Sequence, residues 1–187
     1  MEEPPARPTA QAEKCSECGF DGLTITATNA ERTLRGLGPR YKEALALQEG
    51  EDPDIVLRRR PDARTWSALE CAAHMRDVIA FWGWGLHQAL TKEHPELPDP
   101  DPDLPDRTAS ESSYNSQDLL KVVEDLSANA DRIARKAANI AGDAWDRAVT
   151  FGNLDMTTLA IVRKVAHEGH HHLLDIGRSI NAARTTN

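Results

Sequence analysis

Aromatic residues are scarce, at 5% of the 187 positions. The core must therefore be built largely from aliphatic side chains. Cysteine is scarcer still: three residues, an odd number and too few for a disulfide framework. No apolar run approaches the length that crosses a bilayer. The opening MEEPPARPTAQAEK has neither the cationic start nor the apolar stretch of a secretory signal. Positive charge is in deficit, with 22 Lys and Arg against 30 Asp and Glu, a net −8. That balance argues against nucleic acid or an anionic membrane as partner, since both are recognised through excess Lys and Arg. The expectation is a cytoplasmic protein that works on small molecules. What is present is ordinary globular material, 40% hydrophobic and 28% charged, enough for one domain.

Hydrophobic spacing predicts an all-α fold, a four-helix bundle with one long crossover. Residues 1–14 read as a disordered tail and 15–187 as a single domain, with Cys15–Asp21 a short knuckle-like element. Segment 22–49 has a loose helical period interrupted by Gly36, Gly38 and Pro39, so a kink or two pieces are expected. GEDPD at 50–54 and RRRPDAR at 58–64 read as an irregular link. Ser67-Ala68-Leu69-Glu70 is a capping box that opens a helix running to about Leu90. His94–Asp106 holds five of the eleven prolines and reads as an acidic crossover, suited to covering a cavity mouth. A third helix is expected over Gln117–Ala141, capped by Ser116 and ended by Gly142. A fourth is expected over Met156–Ala183, after a short stretch at 143–154 of extended character. Apolar positions in the first segment would suit a homodimer.

Four of the seven histidines fall within His167-Glu168-Gly169-His170-His171-His172. On a helix His167 and His171 lie one turn apart on one face, the spacing at which two imidazoles reach one metal ion. His170 lies near the same face. His74, in the best-capped helix, can complete a three-imidazole site between two bundle helices. Three protein ligands leave a coordination position open, as in a catalytic centre. Zinc is the first choice, with nickel, iron or manganese compatible with the same ligands. Glu168 and Asp175 are candidates for relaying a proton, and Asp175 for orienting a ligand histidine. His167–His171 also fits H-E-x-x-H. A peptidase is disfavoured, because Gly177 stands where an extended motif would place a third histidine. A di-iron centre is disfavoured because only one E-x-x-H is present.

Cys15 and Cys18 form C-x-x-C followed by Gly19, a spacing that suits two thiolates on one cation. They are a candidate second metal site whose remaining ligands would be histidines or carboxylates elsewhere. A redox pair and a pair of plain thiols are the competing readings. Cys71 reads as a core residue.

Taken together, Trp66-Ser67-x-x-Glu70-x-x-x-His74 and His167-Glu168-x-x-His171-His172-x-x-Asp175 resemble the DinB-like family. That family takes in YfiT-type metal hydrolases and thiol-dependent S-transferases. CSECGFD resembles the start of an actinobacterial subgroup. The resemblance implies a four-helix bundle with a long crossover and a divalent metal on His74, His167 and His171. It also implies a metal-dependent enzyme that transfers or conjugates a low-molecular-weight thiol such as mycothiol. The alternatives it leaves are a hydrolase using activated water and a non-catalytic metal-binding stress protein. A small-molecule substrate and the thiol would be the partners.

Overall fold

The structure, a computed structural model, describes residues 14–98 and 113–185. The expected tail at 1–14 falls outside these residues except for Lys14, as does the crossover from 99 onward. Helices α1 (Ala30–Arg35) and α2 (Leu37–Ala44) form one broken arm, with the break at Gly36. Pro39 is the third residue of α2, where its missing N–H costs no intrahelical bond. The link at 50–54 is less irregular than expected. Asp52 caps a single turn, α3 (Pro53–Val56), with Pro53 in the first helical position.

Helix α4 (Ala68–Thr91) starts at the capping box. The Ser67 amide donates to Glu70 Oε2 at 2.9 Å and the Glu70 amide to Ser67 Oγ at 3.2 Å. Helix α5 (Leu119–Ala138) is shorter than expected at both ends. Its cap is Asp118, whose carboxylate accepts from the Lys121 amide at 2.7 Å, and not Ser116. It stops before Gly142, which adopts φ +56° three residues past the cap Asn139. The buried stripe of α5 is Val122, Leu126, Ala130, Ile133 and Ala137. The last helix, α6, spans Thr158–Thr185.

A small sheet accompanies the bundle. Strand β1 (Glu96–Leu97) lies parallel to β2 (Ala148–Phe151), which pairs antiparallel with β3 (Leu154–Thr157). Gly152, with φ +58°, starts the two-residue turn between β2 and β3. Strands this short carry too few alternations to be read from sequence. β1 is an edge strand, a place that a proline-flanked segment can take.

Helix α4 is central, packing along both α5 and α6, while α1 and α2 close the bundle against the same two helices. Leu34, Leu37, Tyr41, Leu69, Met75, Ile79, Leu126, Ile133, Ile161 and Ile176 are fully buried. Aliphatic residues dominate, as the scarcity of aromatics requires. Of the large apolar side chains described in segment 22–49, only Leu23 is exposed. The other large apolar side chains of that segment are buried or half-buried in the bundle. No described helix is long and apolar enough to cross a membrane.

Gly169 fixes how α2 meets α6. A Cβ at that position would lie 2.5 Å from Leu37 Cδ2. Its absence brings α2 close enough for Tyr41 Oη to donate to the Gly169 carbonyl at 3.1 Å. The histidine-rich turn of α6 is thus pinned at its middle.

Candidate metal centres

Two i, i+4 pairs interleave on α6. His167 and His171 form one; Glu168 and His172 form the other. Consecutive helical residues are about 100° apart around the axis, so the pairs face different neighbours. His172 and Glu168 turn toward α4. There one donor atom each from His74, Glu168 and His172 lie within 4.8 Å of one another. His167 and His171 turn toward the N-terminal knuckle. There they join Cys15 and Cys18 under the same distance limit. The trio expected from the sequence is divided. Among the described residues no such group contains His74 together with His167 or His171.

The first cluster is tightly framed. The His74 and His172 rings stand 5.0 Å apart between centroids, nearly perpendicular at 78°. Trp66, just before the cap of α4, lays its ring 4.9 Å from His74, and Tyr114 follows at 6.4 Å. His172 Nε2 faces Glu168 Oε2 at 3.6 Å. The other Glu168 oxygen, Oε1, accepts from Lys164 Nζ at 2.8 Å. His172 first and then Lys164 hold the Glu168 carboxyl down to about 2, against the opposing effect of burial. The group is therefore ionised at neutral pH. Asp175 Oδ2 lies 3.3 Å from His172 Nδ1, too poorly aligned for a hydrogen bond, and Asp175 Oδ1 pairs with Arg178. Of the two readings of Asp175, the pairing with arginine is seen here, while toward the histidine it stands close without a hydrogen bond.

This cluster borders a pocket of about 450 Å³. His172, Asp175, Trp66 and Cys71 form its wall, with Glu17, Arg64 and Arg178 around them. Cys71 is buried as expected. Burial first, then the carboxylates of Asp175 and Glu70, push its thiol up to about 12, so it is no nucleophile at neutral pH.

The second cluster sits where the knuckle meets α6. The Cys15 amide donates to the Phe20 carbonyl at 2.8 Å and the Gly19 amide to the Cys15 carbonyl at 2.9 Å. Gly19 adopts φ +73°, which explains the glycine after the second cysteine. Cys15 Sγ lies 3.9 Å from His171 Nδ1. The opposite ring nitrogen, His171 Nε2, faces Glu17 Oε2 at 3.6 Å and Asp175 Oδ2 at 3.8 Å. Phe20 stacks on His167 at 5.6 Å and 14°. His170 is in neither cluster; its Nε2 lies 3.3 Å from the Cys18 carbonyl and its Nδ1 3.3 Å from Arg40.

Sequence reasoning missed His172 as a candidate ligand. The signal was present, since Glu168 and His172 share the spacing of His167 and His171. Nothing in the helical period says which pair turns toward His74.

The sequence profile of the DinB superfamily matches residues 28–176. The matched region holds His74, Glu168 and His172 and excludes Cys15 and Cys18. Two solved structures share the fold. YfiT from Bacillus subtilis, a probable metal-dependent hydrolase with an unusual four-helix bundle topology, aligns with a TM-score of 0.71 at 16% identity. That alignment covers 96% of this chain and 94% of YfiT. A mycothiol-dependent maleylpyruvate isomerase aligns with a TM-score of 0.66 at 16% identity, over 84% of this chain and 63% of the isomerase. No curated protein sequence matches significantly.

Proposed function

This chain belongs to the DinB superfamily, and from that premise we propose that it is a metal-dependent enzyme whose centre is His74, Glu168 and His172. The observation that carries the reading is the convergence of those three donors, from two helices, beside an open pocket with His172 in its wall. The donor set fits a divalent cation on its chemistry. Two imidazoles and an ionised carboxylate make a three-ligand set of the kind catalytic zinc takes, with a position left for a reactant. Zinc is the cation of choice, and nickel, iron or manganese suit the same nitrogen and oxygen donors.

A divalent cation at this centre would supply Lewis acidity, making a thiol or water that reaches it more acidic. The chain's own residues do the rest. Lys164 occupies one oxygen of Glu168 and leaves the other facing His172. Trp66 packs its ring against that of His74 at 4.9 Å between centroids. Asp175 Oδ2 lies 3.3 Å from His172 Nδ1, so a small rotation of the ring would let it hold a proton there and keep Nε2 toward Glu168. Arg64 and Arg178 line the pocket together with Glu17 and Asp175, and both carboxylates pair with Arg178.

The reaction proposed is transfer or conjugation of a low-molecular-weight thiol, of the mycothiol type, to a small electrophile. The fold shared with a mycothiol-dependent enzyme supports this reading. Hydrolysis is the second reading, supported by the likeness to YfiT over nearly its whole length. One assay separates them. Untagged, metal-loaded protein is given an electrophile with and without thiol, and both thiol loss and hydrolysis product are followed. Thiol-dependent turnover that disappears in His74→Ala and His172→Ala supports the transferase. Turnover without thiol, lost in the same variants, supports the hydrolase. Turnover that survives both substitutions would remove the centre from the chemistry.

A further inference from the structure

The knuckle at residues 14–21 poses a question of stability. Lys14 and Asp21 make an isolated bridge at its base, and its one large apolar side chain, Phe20, is only partly buried. Its cysteines form no disulfide. An element this small lacks the core to hold itself and needs another fastening. Yet it is placed against the middle of α6, more than a hundred residues away in the chain, with Cys15 facing His171.

What faces α6 is a complete ligand set. Cys15, Cys18, His167 and His171 each offer one donor atom, all within 4.8 Å of one another. A tetrahedral zinc ion with bonds of about 2.0–2.3 Å needs donors roughly 3.3–3.8 Å apart, so sub-ångström to ångström shifts would close the set. His171 presents Nδ1 to Cys15 while its Nε2 faces two carboxylates, the arrangement that orients a ligand histidine. His167 Nε2 is buried with no hydrogen-bond partner among the described residues.

We propose that Cys15, Cys18, His167 and His171 form a closed, four-ligand structural site for a thiolate-seeking divalent cation of the zinc class, which fastens the N-terminal knuckle to α6. Two thiolates distinguish this site from the nitrogen and oxygen centre on the other face of the helix. Four protein donors leave no position for a reactant, so its role is cohesion. The family profile covers residues 28–176, so it takes in His167 and His171 and leaves out both cysteines. The site has a consequence for the pocket. Glu17, between the two cysteines, pairs with Arg178 at 3.1 Å and lines the cavity beside His172. The cation would hold one wall of the pocket in place.

Cobalt(II) tests this without reference to turnover. Reduced, untagged, metal-free protein is titrated with cobalt under argon. The expected spectrum has sulfur-to-cobalt charge transfer in the near ultraviolet and the intense visible bands of a tetrahedral ion. Both should persist in His74→Ala, which removes the other centre, and vanish in Cys15→Ser/Cys18→Ser. A wild-type spectrum without sulfur charge transfer, or one that survives loss of both cysteines, would overturn the proposal. X-ray absorption at the zinc edge of the protein as purified requires no variant. Two sulfur scatterers at about 2.3 Å and two nitrogens at about 2.0 Å are expected. Zinc with nitrogen and oxygen neighbours alone would likewise overturn it.

Discussion

His171 and His172 are consecutive residues of α6 whose rings stand nearly perpendicular, at 82°, with centroids 5.9 Å apart, and each belongs to a different donor cluster. A single helical step therefore separates the proposed reactive centre from the proposed structural one. Substituting these two neighbours should give opposite phenotypes. His172→Ala should lose one equivalent of metal and all turnover while keeping the sulfur-ligated ion. His171→Ala should release the sulfur-ligated ion and loosen the knuckle. Metal content together with hydrogen exchange at residues 14–21 reads the difference, and equal exchange in both variants would argue against two separate centres.

Asp175 lies beside His172 Nδ1 at 3.3 Å. Carboxylates so placed on ligand histidines are worth about 10- to 100-fold in metal affinity. Asp175→Asn should weaken metal binding at the His74 centre by up to about that factor, and by less at the sulfur-ligated site, where Asp175 stands 3.8 Å from His171 Nε2. Competition with a chelator measures it.

Gly169 and Gly177 should respond differently to alanine. Alanine favours a helix over glycine by about 1 kcal/mol. At Gly177 no atom lies within 4 Å of the added Cβ, so that gain should appear in full. At Gly169 the Cβ meets Leu37 Cδ2 at 2.5 Å, and Leu37 is fully buried and cannot swing away. Overpacking of this kind costs about 1–3 kcal/mol, so Gly169→Ala should be destabilising or neutral. Urea denaturation of the two variants decides the signs.

The capping box makes stability depend on acid. Burial pushes the Glu70 carboxyl up, but Arg60, at 2.8 Å from Oε2, and the Ser67 groups outweigh it and hold the carboxyl below its ordinary value of 4.5. A carboxylate lowered in the folded state stabilises above its unfolded value, and that contribution fades as pH falls through the lowered one. Glu70→Gln should therefore be less stable than the parent at pH 7, with the gap narrowing below pH 4.5. Ser67→Ala, which removes the cap, should cost about 0.5–2 kcal/mol. Denaturation midpoints at several pH values test both.

The three thiols should react in a fixed order. The amides of Cys18 and Glu17, then the rings of His167 and His171, lower Cys15 to about 6. Burial raises Cys18, and raises Cys71 to about 12. In reduced, metal-free protein at pH 7, alkylation should fall first on Cys15, next on Cys18 and last on Cys71. The Cys15 rate should drop as pH goes below 6. Zinc should protect Cys15 and Cys18. Peptide mass mapping over time reads the order, and early labelling of Cys71 would contradict it.

Much of this molecule was determined by local chemistry. The Ser67–Glu70 box, the break at Gly36, the apolar stripe of α5 and the C-x-x-C-G turn each depend on residues within a turn or two of one another, so the sequence displays them directly. Glu168, His171 and Cys15 could likewise be named as chemistry-bearing from type and spacing. Their partnerships could not. His167/His171 and Glu168/His172 are equivalent by spacing, and which pair meets His74 depends on how α6 is rotated against α4. That rotation is set by contacts far apart in the chain, such as Leu37 against Gly169 and Tyr41 to the Gly169 carbonyl. The same rotation turns the other pair toward Cys15 and Cys18, because about 100° of helix separates neighbouring side chains.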